Sequence, residues 1–308
     1  MSAKTLGRIA ARARETLLEV VWRQWAAIHA RASSATPARA VVDIEALVIT
    51  SLLLQEYERR LEEVTAEWAN FRVGALSVQR TQNLLKEYPV RARAMMGTFA
   101  HFAWKKGGDH RWKRMASESA WPSSRRSTWL GPQRVRGAAP LLVRLRLGFG
   151  VNLRADCLAF LIVSPMDRPT ARDVATALRY TDVATRRAAE DLVRAQLVFT
   201  HDTGRPASYR VDSDAWCGVL KIDPPIPPWS YWHQAFAFLT EIDEWARSPE
   251  RTDLSEFALE SLGAELLRKR AHVFETIVPT DSSVRVVSAS GGFERRVNEL
   301  CAWMIENA

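Results

Sequence analysis

Eleven lysines and arginines fall between Trp104 and Arg146, opposed only by Asp109 and Glu118, and Trp104, Trp112, Trp121 and Trp129 are interleaved with them. These residue types together suit nucleic acid. Ammonium and guanidinium groups meet phosphates, and exposed indoles stack on bases or wedge into grooves. Lys105, Lys106, Arg111, Lys113, Arg114, Arg125 and Arg126 are the candidates for that chemistry. A plainer reading stands beside it, in which the tryptophans anchor a long loop onto neighbouring helices and the charges are merely solvated. Anchoring fits the tryptophans better. A polyanionic partner fits the charges better, because almost no acid in the segment neutralises them.

A second basic group lies in "YTDVATRRAAEDLVRAQLV", Tyr180 to Val198. At helical spacing Thr185, Ala188, Ala189, Leu192 and Ala195 share one face. Val183, Arg187, Glu190 and Arg194 take the opposite face, with Arg186 at its edge. The helix either reads DNA or fills a core. Arg187 and Arg194 flank Glu190, so both could form intrahelical pairs worth a few tenths of a kcal/mol. Between Arg168 and Val211 eight arginines face five acids, a modest excess.

Catalytic chemistry finds little support. The six histidines show no HxxxH or HExxH spacing, and there is no GxGxxG, GxxxxGK[ST] or GxSxG. "HRWKR" beside Asp109 lacks the clustered carboxylates that a magnesium-dependent nuclease needs. No enzyme activity, metal or cofactor is expected. Cys157, Cys217 and Cys301 are far apart and odd in number, which fits a reducing cytoplasm better than a disulfide framework. The longest apolar run, "ALVITSLLL", is too short to span a bilayer. A net charge of +8 and a pI near 9.7 favour polyanionic partners without specifying a fold.

The elements that must position these groups are mostly helices. Apolar residues recur at three- and four-residue steps over 4–31, and a second helix is predicted over Asp43–Asn70. A third starts after Ser77 as N-cap and reaches about Glu87, with another from Val90 to Trp104. Gly107-Gly108, Pro122, Gly131-Pro132 and Pro140 argue against long regular elements over 104–146. "KIDPPIPPW" is a proline-rich connector. Three helices are predicted after it, over Tyr231–Arg247, Asp253–Ile277 and Phe293–Asn307. The length suggests two or three domains. The division is an N-terminal helical domain (1–103), a basic connector (104–146), a central unit (147–222) and a C-terminal helical domain (223–308).

In the central unit an apolar helix runs to Pro165. "RPTARDVATAL" follows, with Thr170 and Asp173 forming a capping box. The turn "RYTD" leads to the arginine-bearing helix. "LVFTHD", "TGRP" and "ASYRVD" then read as a hairpin, with Gly204 in the turn. From Leu153 to Val211 this order, with the tyrosine before the turn, Arg186-Arg187 and "DLV", resembles the MarR/ArsR-type winged helix-turn-helix of bacterial regulators. The departure is Ala195-Gln196-Leu197 where such helices often carry Ala-Gly-Leu, so a less tightly turned helix exit is expected. The resemblance implies that the helix enters a major groove by its N-terminal half. It also implies that Thr181 and Thr185 reach phosphates or bases and that Arg186 and Arg187 pair with guanine edges or phosphates. Arg194 would lie at the edge of this surface. Arg205 at the hairpin tip would lie along the backbone or in the minor groove, and Arg172 and Arg179 would touch flanking phosphates. The expectation is a mainly α protein that regulates transcription by binding double-stranded DNA sequence-specifically, as a homodimer. The rivals are a protein-interaction module for an operon-encoded partner, and a non-specific nucleic-acid binder acting through the basic segment.

Overall fold

The computed structural model describes residues 1–28, 37–117, 136–201, 206–224, 226–251, 253–277 and 292–308. Among the described residues the protein is mainly helical, with one two-stranded antiparallel sheet. Helix α1 (Ala3–Ala27) buries the recurring stripe Leu6, Ile9, Ala13, Leu17, Val20 and Val21, and Ser2 caps its start by accepting from the Thr5 amide. Helix α2 (Ile44–Leu54) is buried along its whole length and therefore carries no stripe.

The expected helix over Asp43–Asn70 breaks after Leu54 and resumes as α3 (Arg60–Glu67), which runs into a π-helical turn at Trp68–Arg72. The break has a physical purpose. It lets the Tyr57 hydroxyl reach Asp243, 3.1 Å away, and lets the Glu58 carboxylate accept from the Arg60 amide. Ser77 caps α4 (Val78–Leu84) as expected, and α5 (Arg91–Lys105) follows Pro89.

Helix α6 (Leu141–Phe149) starts directly after Pro140, inside the stretch read as irregular. The proline's missing N–H costs nothing at a helix start, so it initiates this helix. Helices α7 (Leu153–Ile162), α8 (Ala171–Leu178) and α9 (Asp182–Arg194) pack on one another. The Thr170–Asp173 capping box is present. Strands β1 (Phe199–His201) and β2 (Ser208–Arg210) pair with Thr200 opposite Tyr209. The return strand also meets the chain before α8, through a Thr170–Ser208 bridge and a bond from the Tyr209 amide to the Pro169 carbonyl. The hairpin tip, including Gly204, lies outside the described residues. Helix α10 (Ser213–Leu220) follows, capped by Asp212.

The connector leads to α11 (Trp232–Arg247), α12 (Glu256–Lys269), α13 (Ala271–Ile277) and α14 (Gly292–Asn307). Helix α1 packs on α11 and α14, and α2 packs on α11. The segments 1–103 and 223–308, read from sequence as separate domains, thus contribute to the same core.

Candidate nucleic-acid interface

Helix α9 is amphipathic in three dimensions as well as in sequence. Thr185, Ala188, Ala189 and Leu192 are buried against α7 and α8. Val183, Arg186, Arg187, Glu190 and Arg194 are exposed on the other side. Thr185 is fully buried, with its hydroxyl among the apolar groups, so the expectation that it touches phosphate or base is corrected. Alanine and threonine are small enough for either face of a helix, which is why spacing alone did not exclude it.

Thr181 is exposed but serves as the N-cap, its hydroxyl accepting from the Ala184 amide. Arg186, Arg187 and, from α8, Arg172 are exposed, and none has an ion-pair partner among the described residues. Arg194 instead pairs with Asp191 at 3.0 Å and lies within 3.9 Å of Glu190. Its expected role at a phosphate is corrected to an intrahelical ion pair, and Arg187 forms no such pair with Glu190. Arg210 on β2 is exposed beside this face and was missed. Arg205 lies outside the described residues.

Arg179 is corrected as well. It ends α8 in the left-handed conformation, with φ of 61°, and its guanidinium is engaged by the Glu87 carboxylate. The exit of α9 departs from expectation in the other direction. Gln196 adopts φ of 59°, the Leu197 amide reaches the Leu192 carbonyl at 3.0 Å, and the Gln196 amide reaches Val193 at 2.9 Å. This is the complete double-bonded helix stop usually built on glycine, so the turn is as tight as a glycine would make it.

Beneath this surface lies a cluster of charges that the sequence gave no sign of. Arg80 donates to both Asp43 oxygens at 2.5 and 2.7 Å and to Glu45 at 2.6 Å. Arg146 donates to the two oxygens of Asp156 at 2.7 and 2.9 Å, and also to Glu45. All five groups are buried. The Tyr180 hydroxyl donates to Asp156 at 3.1 Å and meets the Ser77 hydroxyl at 3.0 Å. Burial alone would raise the Asp43 carboxyl, but the Arg80 guanidinium outweighs it and holds Asp43 far below the usual carboxylate range. Burial, with the Asp156 charge beside it, pushes the Tyr180 hydroxyl well up, so it stays protonated and remains a donor.

The basic segment divides in the structure. Lys105, Lys106, Lys113 and Arg114 are exposed. Arg111 is taken up by Asp109, 2.6 Å away, and Arg146 by the buried cluster, so neither is the unneutralised cation that the local charge count suggested. Arg144 donates to the Gly137 and Leu220 carbonyls. Trp112 is fully buried, edge-on to Phe99 at 5.6 Å, which is the anchoring role. Half-buried Trp104 has the Lys105 ammonium 3.9 Å from its ring centre and Lys113 at 5.5 Å, so its ring already serves cations rather than standing open for a base. Arg125, Arg126, Trp121 and Trp129 lie outside the described residues. Comparison with protein-family models, curated proteins and solved structures finds no match to this chain.

Proposed function

We propose that α7 to β2 form a winged helix-turn-helix, that α9 reads the major groove of duplex DNA, and that the protein is a sequence-specific transcriptional regulator acting as a homodimer. The observation that carries the reading is the state of three arginines. Arg172, Arg186 and Arg187 project from two successive helices with no ion-pair partner among the described residues, while the apolar side of α9 is consumed by α7 and α8. The nearest acid that could quench them, Asp191, is engaged by Arg154 at 2.5 Å and by Arg194. A major groove admits one helix, and a bidentate arginine on guanine discriminates against a wrong base by roughly 1–3 kcal/mol. Lys105, Lys106, Lys113 and Arg114 supply further phosphate contacts in this reading. Arg210 and the hairpin would flank the groove. A dimer would place two such helices on half-sites about one helical turn apart.

The test compares duplex from the protein's own upstream region with random duplex, at several salt concentrations. Wild type should prefer the former. The pair Arg186→Ala and Arg187→Ala should weaken binding and lower the salt slope by about two, one for each lost phosphate or base contact. Equal affinity for both duplexes removes sequence specificity. An unchanged slope in the double variant removes α9 from the interface, and loss of a protein partner in a pull-down would then favour the interaction-module rival.

A further inference from the structure

We propose that the 77–87 segment, α4 with its flanks, clamps the turn between α8 and α9 and so sets the orientation in which the reading helix is presented. Ser77, Arg80, Asn83 and Glu87 are its positioning residues. The inference rests on the winged-helix reading of α9, and it names what controls that site.

The turn consists of Leu178, Arg179 and Tyr180. Each of the three is held by a different residue of one short stretch far away in sequence. The Leu178 carbonyl accepts from Arg80 Nε at 3.0 Å. The Arg179 carbonyl accepts from Asn83 Nδ2 at 2.8 Å, and the Arg179 guanidinium pairs with Glu87. The Tyr180 hydroxyl meets Ser77 Oγ at 3.0 Å. The holding residues recur at steps of three and four, so one stripe of a single helical stretch grips the turn along its length.

The grip is anchored at both ends. Arg80 is fixed in turn by Asp43 and Glu45. The Glu87 carbonyl accepts from Arg270 Nη2 at 2.6 Å, and Arg270 Nε holds Glu241 of α11 at 2.8 Å. Arg179 sits at a positive φ without being glycine, a conformation that persists where surrounding contacts over-determine it. None of the four positioning residues belongs to the central unit that carries α9. The helical body, rather than the winged helix itself, therefore decides which way Thr181 and the arginines behind it point. An unclamped turn spends only part of its time in the competent orientation, and apparent affinity falls by that fraction.

The experiment uses the full chain with Asn83→Asp and, separately, Glu87→Gln. The first replaces an amide donor by an acceptor of the same shape facing the Arg179 carbonyl. The second removes the charge facing the Arg179 guanidinium and serves if the first fails to fold. Without DNA, hydrogen exchange at the Tyr180 and Thr185 amides should quicken about three- to tenfold in each variant, the size of one lost hydrogen bond. With upstream duplex, affinity should fall by a similar factor while the salt slope stays at the wild-type value, because no phosphate contact is removed. Unchanged exchange at both amides overturns the clamp. A reduced salt slope also overturns it, since these side chains would then be touching DNA themselves. If wild type binds no duplex, the winged-helix reading falls, and exchange at the two amides alone decides the clamp.

Discussion

Arg80 illustrates how a single residue can matter more than its type suggests. It is as buried as any leucine in the protein, with Asp43 and Glu45 closed around it. A buried pair adds little over a well-packed apolar substitute, but removing one partner strands the other charge. Arg80→Met should therefore cost about 3–5 kcal/mol in denaturant unfolding. Loss of the exposed Arg8–Glu294 pair should cost under about 1 kcal/mol. The same cluster sets an acid limit. The Asp43 carboxyl lies below its ordinary value of 3.8 in the folded protein, burial being overridden by Arg80. Its stabilisation is thus complete above that value and is lost as pH falls through and below about 4. Acid titration should show this loss in wild type and a shallower pH dependence in Arg80→Met.

At the scale of elements, helix ends decide the shape of the central unit. The stop after α9 is built on Gln196 in the left-handed conformation, which costs a residue bearing a Cβ roughly 1–2 kcal/mol. Glycine avoids that strain but gives back part of it as chain entropy. Gln196→Gly should therefore raise stability by about 0.5–1 kcal/mol, read as a higher denaturant midpoint at unchanged m-value. Arg179→Gly meets the same backbone geometry yet should show no such gain, because it also discards the pair with Glu87. The two substitutions together separate backbone strain from side-chain contact.

At the scale of the whole molecule, the buried charges join parts that sequence separates. Glu45 of α2 is shared between Arg80 of α4 and Arg146 of α6, and Arg146 passes the connection to Asp156 of α7. Helix α1 packs against α11 and α14 at the other end of the chain. A core continuous from the first helix to the last should unfold as one unit. Calorimetry should give a single transition whose van't Hoff and calorimetric enthalpies agree. Two resolved transitions would mean that the charged cluster does not couple the central helices to the body.

What could be read in the sequence was what depends on near neighbours. The stripe of α1, the caps at Ser77 and Thr170, the hairpin and the division of α9 into two faces all follow from residues three or four apart, and they stand in the structure. Tertiary contacts decided the rest. Nothing near Arg146 in sequence shows that a member of a basic run is buried against Glu45, 101 residues away, or that Arg179 belongs to Glu87 rather than to a phosphate. A charge far along the chain leaves no periodic trace, and its partner exists only once the helices have packed. The sequence by itself determined which helices form and which of their faces are apolar. Only packing determined which arginines remain free to meet another molecule.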